Sequence, residues 1–498
     1  MQRLNQNTLT TAAAKTKNAT KDFYNRDNIQ PGIVHFGVGN FHRCHQAVYV
    51  DKLLSLGGLD WGIMGVSMRS GKIRDQLAPQ DFLYTVVTLS KDIELSIIGS
   101  ILNILVAPEN PAVVINQVAD NNIKLVTTTI TEKGYCLSSG QIDNEHRDFI
   151  ADSASLETPR TIYGYLAAAI IQRRKNGRHC KHGGAPLSVL CCDNIQSGGE
   201  HLQAGVQRLL QHHDQVSKDW AKIHVSFASS MVDRVAPKTD ESLKQLVHAA
   251  LELEDAWPVS AEPFSQWVIE DRFAGERPAF DKVGALFTDD ISLFEQMKLR
   301  FLNAGHSIIS ILGYLDNQAT VHQALEQPSI LDFVQKALHE NVLPVATLPT
   351  DFKGEGYISD VIQRFRNSAL PYTVQQVNTD SSQKIQQRWF PTIDDALAQY
   401  ADSALMSFMV AAWAIYVHKA LDAGELNDPL RDDFLAAQRQ GEDIVSQFLL
   451  IAGADRFGFY NSTPFMAAVL SDYNTLQNTE ITTALTQFLS RREEATHA

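Results

Sequence analysis

A segment near the start of the second half of the chain carries three side chains that can exchange a proton or form hydrogen bonds with a reacting group. The segment QMKLRFLNAGH, residues 296–306, contains Lys298, Asn303 and His306. On an α-helix at about 100° per residue, Asn303 lies about 140° and His306 about 80° round the axis from Lys298, so all three can line one broad face. A lysine in an apolar site loses part of its preference for the charged form and can act as a general base near neutral pH. The same spacing also fits a plain helix with a surface lysine, a core histidine and a solvated asparagine.

A further polar candidate follows the β-rich run LSVLCC, which ends at Cys192. Asp193 and Asn194 come directly after it, and doubly wound folds place ligand contacts at the carboxyl ends of strands. Asn194 can donate a hydrogen bond to an alkoxide that develops during a reaction. It can equally well belong to a simple turn that ends the strand.

Histidines and cysteines close to this run raise the question of a zinc site. They are His179, Cys180, His182, Cys191 and Cys192. Neither a CxxC pair nor a histidine pair at i and i+4 occurs among them, so the sequence predicts no metal site. The sequence also lacks GxSxG, HExxH and Walker-type motifs, which leaves hydrolase and NTPase functions without support.

A short glycine motif lies between a β-rich run, residues 32–38, and a helical stretch. The motif comprises Gly37, Val38, Gly39, Asn40, Phe41, His42 and Arg43. Two glycines let the backbone approach a pyrophosphate closely, and the N–H groups at the start of the helix stabilise its charge. His42 occupies the position of the third glycine of the dinucleotide-binding fingerprint, so the motif alone also fits a tight structural turn. Its place at the first strand of an alternating pattern favours dinucleotide binding.

The elements that position these residues form an alternation of strands and helices. β-rich runs occur at GIVHFGV, WGIMGVS, FLYTVVTL, LVTTTIT, LSVLCC and HVSFAS, with helical stretches such as HQAVYVDKLLSL and EHLQAGVQRLLQHH between several of them. This alternation predicts an α/β fold in which residues 1–288 form a Rossmann-type, doubly wound, mostly parallel domain. Long amphipathic stretches follow, so we expect residues 289–498 to form a mainly α-helical domain that binds the substrate.

Length and charge limit the possible classes of function. The chain has 498 residues, with 57 acidic and 43 basic side chains and a net charge of −14. An acidic chain argues against nonspecific nucleic-acid binding, which requires a basic field. The five cysteines are too few and too irregularly spaced for a disulfide scaffold and fit a reducing compartment.

Apolar patterning bears on membranes and localisation. The N-terminal segment has no continuous apolar core of the kind that a signal peptide needs. The longest uncharged apolar stretch, residues 404–417, is too short to span a bilayer and predicts a buried core helix. We therefore expect a cytoplasmic enzyme that acts on a small molecule, with no membrane and no nucleic-acid partner.

Six segments, taken together, resemble those of a known enzyme family. They are GIVHFGVGNFHRCHQAVYVDKLL, TITEKGYC, CCDNIQSGGE, SMVDRVAP, EPFSQWVIEDRF and MKLRFLNAGHS, in this order. Over nearly the whole chain they are similar to the polyol-specific long-chain dehydrogenases, most of all to the mannitol 2-dehydrogenases of that family. The resemblance implies a Rossmann-type domain followed by a mainly helical domain, and a metal-independent, NAD(P)-linked oxidation of D-mannitol to D-fructose by hydride transfer.

The same resemblance implies roles for individual residues. Lys298 would be the general base, and Asn194 and Asn303 would stabilise the alkoxide. The other family positions fall on Glu295, which would help to relay the proton, and on His306, Lys384 and Asp233, which would contact or position the substrate. These roles agree with the chemistry of the residues themselves, because a neutral amine accepts a proton and two amides donate to oxygen.

One substrate position departs from the mannitol enzymes. They carry an arginine four residues before the aspartate of a DGSSK motif, whereas this chain has Gln376 four residues before Asp380 in DSSQK. Gln376 would contact the substrate there, but a neutral amide does not replace the charge and donor fork of arginine. DSSQK and the glutamine are similar to fructuronate reductases, a sister group, while the segments NQNTL, LEDAWPV and VAAWAIYV are similar to the mannitol enzymes. We expect mannitol and fructose as substrates, with fructuronate and mannonate, or another hexitol or pentitol, as the alternative.

The end of the second predicted strand bears on cofactor choice. NAD-binding Rossmann units usually have an acidic residue there, which binds the ribose hydroxyls. Here Arg69 and Lys72 follow the strand, and no acid occurs before Asp75. We expect NAD as the cofactor on the resemblance, with activity toward NADP because Arg69 can attract a 2′-phosphate. The sequence leaves the oligomeric state open, a monomer included. A nucleotide-binding protein without turnover is a further alternative, which the presence of Lys298 and Asn303 disfavours.

Overall fold

The protein contains two compact units, residues 1–292 and 293–498. The computed structural model describes residues 2–16, 24–138, 140–177, 184–350, 352–370, 372–399, 403–441 and 443–497. The boundary predicted from the sequence lies between residues 288 and 289. His179, Cys180 and His182, considered above as zinc ligands, lie outside the described residues. Within the described ranges, no group of three or more His, Cys, Asp or Glu side chains is arranged to hold a metal ion.

Thirteen strands occur in the described part of the first unit. They are β1 (Pro31–Phe36), β2 (Gly62–Ser67), β3 (Tyr84–Thr88), β4 (Glu94–Ile98), β5 (Ile101–Val106), β6 (Leu125–Thr128), β7 (Leu137–Ser138), β8 (Gln141–Ile142), β9 (Leu187–Cys191), β10 (Val225–Asp233), β11 (Val259–Ala261), β12 (Gln266–Glu270) and β13 (Leu286–Thr288). Eight of them form one sheet in the order β13-β12-β10-β9-β6-β1-β2-β5. All neighbouring pairs in it are parallel except β10 and β12.

Both faces of this sheet are covered, as a parallel sheet requires. Ile33 and Val34 point to opposite faces of β1 and belong to different apolar cores. The predicted Rossmann-type α/β domain is therefore confirmed. Phe36, Thr128 and Cys191 are in register on β1, β6 and β9. The residues that follow these three strands therefore meet at one edge of the sheet, where such folds bind ligands.

The helices of the first unit connect these strands. The α-helices are Leu9–Ala13, Asn40–Cys44, Gln46–Ser55, Lys72–Leu77, Pro111–Ala119, Arg147–Ala154, Ile162–Asn176, Gly198–His213, Gln215–His224 and Glu241–Leu251, and the 3₁₀ turns are Arg26–Asn28, Ala78–Gln80, Glu132–Tyr135 and Phe280–Val283. The run FLYTVVTL does not join the main sheet. It forms β3, which lies between β4 and β11 in a separate three-stranded sheet and pairs antiparallel with β4, the next strand along the chain.

The second unit is mainly helical in its described residues, which confirms the predicted helical domain. Its α-helices are Ser292–Met297, Ala304–Leu315, Val321–Ala324, Pro328–Lys336, Gly354–Phe365, Val374–Asn378, Ser381–Arg388, Phe390–Gln399, Ala404–Asp422, Arg431–Gln440, Ile444–Ile451, Thr463–Asn478 and Ile481–His497. Two π-helices, Lys298–Asn303 and Ala337–Val342, and three 3₁₀ turns, Leu343–Val345, Ala454–Arg456 and Gly458–Asn461, complete the set.

Helix Ala404–Asp422 forms the core of this unit. Every residue from Leu405 to Val417 is buried, and the helix packs against Thr463–Asn478. In the described chain it is the one helix long and apolar enough to cross a membrane, but 83% of its apolar window is buried inside the protein. It is therefore the core helix that the sequence predicts.

Candidate active site

In the glycine turn after β1, the first glycine is tightly packed against backbone atoms, whereas the second has free space beside it. Gly37 has φ +100°, and a Cβ there would come within 2.1 Å of the carbonyl oxygen of Thr129. Gly39 has φ −84°, and apart from its chain neighbours a Cβ there would meet nothing closer than the carbonyl oxygen of Gly37, at 4.0 Å. The fold therefore requires the first glycine. The open space at the second lets a ligand approach the backbone.

The side chains of Asn40 and Arg43 support this turn from within the protein. Arg43 is fully buried. It donates to the carbonyl oxygen of Trp257 at 2.6 Å and to Oδ1 of Asn40 at 2.8 Å. Asn40 Nδ2 donates to the carbonyl oxygen of Pro237 at 3.2 Å. Cofactor binding by this motif stays a prediction, and the structure leaves that role to the backbone rather than to the Arg43 side chain.

His42, which replaces the third glycine of the fingerprint, packs flat on a histidine of β1. Its ring stacks on His35 with centroids 3.3 Å apart and planes at 12°. The His35 nitrogens bond the hydroxyls of Thr127 at 2.7 Å and Thr129 at 2.9 Å. Burial lowers the pKa of His35 to about 3 and lowers that of His42 as well, so both rings are neutral. Two flat stacked rings thus fill the space between helix and strand at the position where the fingerprint has its third glycine.

A buried carboxylate organises the sheet edge beside Asn194. Asp193 accepts hydrogen bonds from the N–H of Ile130 at 3.1 Å, the N–H of Thr131 at 2.8 Å and the hydroxyl of Tyr135 at 2.6 Å. Burial raises the pKa of Asp193, while these donors oppose the rise. Thr131 has φ +71°, a strained conformation for a β-branched residue. Asp193 therefore holds a strained loop next to exposed Asn194.

Charged residues follow β2, where cofactor choice is expected to be made. Arg69 and Lys72 are exposed. The nearby acids are Asp75, 2.8 Å from Arg74, and Glu109, which also pairs with Arg74. Both carboxylates are therefore partly neutralised by one guanidinium, and two exposed cations remain beside the strand end.

The segment with Lys298 and Asn303 is a π-helix, not the regular α-helix used for the angular prediction. Lys298–Asn303 forms the π segment, and the N–H of Ala304 donates to the carbonyl oxygen of Leu299, five residues back. In a π-helix residues i and i+5 lie one above the other, as i and i+4 do in an α-helix. The predicted offset of about 140° between Lys298 and Asn303 is therefore wrong, because the wider turn stacks the two residues on one face.

His306 continues that face one turn further along. It follows Asn303 by three residues of regular α-helix, which places it about 60° from Asn303. Its ring stacks on Phe365 at 5.0 Å. Burial lowers its pKa to about 3, with further lowering from Arg388, Lys384 and Arg364. Nε2 is shielded from solvent and has no hydrogen-bond partner among the described residues, so a neutral imidazole nitrogen is available for a ligand hydroxyl.

The remaining predicted residues are distributed over both units. Lys384 Nζ donates to the carbonyl oxygen of Val377 at 2.9 Å. Gln376 is exposed, and Glu295 is half-buried one turn before Lys298. Asp233 is buried at the end of β10 in the first unit, the unit that also carries the glycine turn and Asn194.

Two supporting residues were not assigned a role from the sequence. The sequence assigns Asp193 no role beyond a strand-ending turn, although an acid directly before Asn194 is well placed to bind loop N–H groups. Arg388 NH1 donates to the carbonyl oxygen of Asn303 at 3.0 Å. Its position four residues after Lys384, on the same helical face, was the available signal.

Comparison with known families covers both units. Residues 31–282 match the mannitol dehydrogenase Rossmann domain, and residues 290–477 match the mannitol dehydrogenase C-terminal domain. The chain belongs to the mannitol dehydrogenase family. Among members of this family, the mannitol 2-dehydrogenase of Cereibacter sphaeroides is 35% identical over 87% of this chain and 91% of its own. That of Aspergillus fumigatus is 33% identical over 93% and 94%.

Solved structures place the fold in the same mannitol dehydrogenase family. Pseudomonas fluorescens mannitol 2-dehydrogenase, in a ternary complex with NAD and D-mannitol, is 34% identical, with a TM-score of 0.81 over 98% of this chain and 99% of its own. A D-sorbitol dehydrogenase in substrate-free form is 28% identical, with a TM-score of 0.82 over 93% and 96%. The predicted resemblance to polyol dehydrogenases is confirmed.

Proposed function

We propose that this protein is an NAD-dependent polyol dehydrogenase that interconverts D-mannitol and D-fructose. The observation that carries the proposal is the single helical face that holds Lys298, Asn303 and His306 in a chain of this family. A relative of 34% identity is known in complex with NAD and D-mannitol, which supports the same pair of ligands here.

The turn after β1 fits the pyrophosphate of a dinucleotide. Gly39 is the N-cap of helix Asn40–Cys44 and supplies no side chain to accept from the first helical turn. The open space beside it is what close approach of a phosphate requires. When bound there, NAD supplies the hydride acceptor for oxidation of a secondary alcohol.

The side chains of the chain itself would manage the proton and the developing charge. Neutral Lys298 takes the hydroxyl proton as the alcohol is oxidised, and Glu295 helps to pass that proton on. The amides of Asn194 and Asn303 donate to the alkoxide oxygen, whose charge grows in the transition state. The neutral ring of His306 orients the substrate through a hydroxyl. Asp233 and Lys384 contact other hydroxyls.

Gln376 favours an alternative substrate. It is exposed and neutral where the mannitol enzymes carry an arginine, and fructuronate reductases share this glutamine. D-sorbitol is a further candidate because a D-sorbitol dehydrogenase has a similar fold.

The proposal is tested by measuring NADH oxidation with D-fructose, D-fructuronate, D-tagaturonate and D-xylulose, each in a separate assay. Lys298→Ala serves as the control for NADH oxidation that does not depend on the proposed base. We expect D-fructose to have the highest kcat/KM. A clear preference for D-fructuronate would reassign the substrate. If the protein neither oxidised NADH with any of these ketoses nor reduced NAD with D-sorbitol, the dehydrogenase activity would be refuted.

A further inference from the structure

The π-helix at Lys298–Asn303 requires stabilising contacts from outside the helix. Runs of i→i+5 bonding are rare, and the surrounding helix continues as a regular α-helix after Ala304. A shift of the π segment to α bonding would turn Lys298 relative to His306 by about one residue, or about 100°. Groups that bind the end of the π segment therefore set how closely Lys298, Asn303 and His306 are aligned on that face.

Arg388 binds that end. Its NH1 donates to the carbonyl oxygen of Asn303 at 3.0 Å and to the hydroxyl of Ser307 at 2.7 Å. These two acceptors lie one α-helical turn apart, so the guanidinium spans the junction between the π and α segments. The next residue, Trp389, donates from Nε1 to the carbonyl oxygen of Ala304 at 3.4 Å.

The positive charge of Arg388 affects His306, which lies on the segment that the Arg388 hydrogen bonds hold in place. His306 lies between Asn303 and Ser307, and its pKa is lowered to about 3 first by burial and next by Arg388. A permanently charged guanidinium beside the ring therefore adds to the effect of burial in favouring the neutral imidazole. A lysine at position 388 would keep the positive charge, but its ammonium group would not bind both acceptors with the planar geometry of a guanidinium.

We propose that Arg388 is a positioning residue of the polyol reaction, which holds the end of the π-helix so that Lys298, Asn303 and His306 share one face. The inference rests on the proposed function. It assigns Arg388 no contact with the substrate, so its loss should reduce kcat and leave the KM for polyol and NAD nearly unchanged.

The test uses Arg388→Gln, Arg388→Lys and Arg388→Ala in the full-length protein, with Arg300→Gln as the matched control. Arg300 lies in the π-helix itself and pairs with Asp395 at 2.7 Å, so the control removes an equal positive charge from the segment that Arg388 binds. We expect Arg388→Gln to lower kcat about 10²-fold, the usual effect of a small misplacement of reacting groups. Arg388→Lys should recover only part of this loss. Guanidinium ion, but not methylammonium, should restore turnover to Arg388→Ala.

The outcomes separate the possible roles. A rise in the KM for polyol with kcat retained would make Arg388 a substrate contact and would overturn the inference. A loss of kcat in Arg300→Gln equal to that in Arg388→Gln would also overturn it, as would a kcat of Arg388→Gln within threefold of the wild type. If Arg388→Gln does not fold, Arg388→Lys and the guanidinium response decide. Wild-type protein that binds NADH but oxidises no polyol would overturn the proposed function instead.

Discussion

The two glycines of the turn after β1 should respond in opposite ways to the same substitution. In Gly39→Ala the new methyl group meets no protein atom closer than 4.0 Å apart from chain neighbours, and φ −84° suits alanine. Folding stability should stay the same or rise by about 0.4–1 kcal/mol, because alanine restricts the unfolded chain. The methyl group would, however, stand where a pyrophosphate must approach. Overpacking of one such contact costs about 1–3 kcal/mol, or about a 5- to 150-fold loss of NADH affinity.

Gly37→Ala is the matched comparison. Its methyl group would lie 2.1 Å from the carbonyl oxygen of Thr129, at a φ of +100° that alanine rarely adopts. Strain and displacement together should lower the free energy of unfolding by about 2–5 kcal/mol. The substitution would therefore damage the fold as well as the site.

The assay pairs thermal unfolding with NADH binding measured by fluorescence titration. Gly39→Ala should unfold at or above the wild-type temperature and bind NADH weakly, whereas Gly37→Ala should unfold at a lower temperature. Wild-type NADH affinity in folded Gly39→Ala would show that the dinucleotide does not approach this backbone. A Gly37→Ala variant as stable as wild type would refute the clash with Thr129.

Three further outcomes are expected. Lys298→Ala should lower turnover by at least about 10²-fold while the thermal unfolding temperature is retained. The rate of polyol oxidation by the wild type should decrease as the pH is lowered, because a protonated amine accepts no proton. Near-native turnover in Lys298→Ala would exclude the lysine base. The kcat/KM for NADH should exceed that for NADPH by less than about 10³-fold, because Arg69 and Lys72 are exposed after β2 and the nearby Asp75 and Glu109 pair with Arg74. Near-absolute rejection of NADPH would contradict this. Burial raises the pKa of Asp51 from 3.8 to about 6, so the folded state binds that proton more tightly and this contribution to stability is lost as pH rises from 3.8 to 6. Urea unfolding should therefore show Asp51→Asn gaining about 3 kcal/mol on wild type across this window, about 2 units at 1.36 kcal/mol each, and a difference independent of pH would refute it.

The fold class was predictable because its signals are local. Alternating apolar runs marked the strands of the main sheet, and the long apolar helix Ala404–Asp422 could be recognised as buried from its composition. Pairings between distant segments carry no such signal. The placement of β3 beside β11, which begins at Val259, depends on chain closure over about half of the first unit.

The candidate site shows the same division. Lys298, Asn303 and His306 and the broad face that they share were predicted from residue type and spacing, but their closer alignment by a π-helix was not, because a π-helix depends on tertiary partners such as Arg388. The stacking of His42 on His35 was also beyond prediction. A histidine in place of a glycine reads as a loss until the opposite ring on β1 is known.

The π-helix also means that the number of residues, and not only their identity, carries information in this helix. Removing one residue between Lys298 and Asn303 would leave both side chains, their neighbours and the apolar composition in place. The shortened segment would close as a regular α-helix with the lysine four residues before the asparagine and seven before the histidine, about 40° and about 20° from them round the axis, so the three side chains would stay on one face. A single-codon deletion there would therefore remove the π-helix and keep the active face, whereas regular α bonding at the present length would put the two halves of that face out of phase.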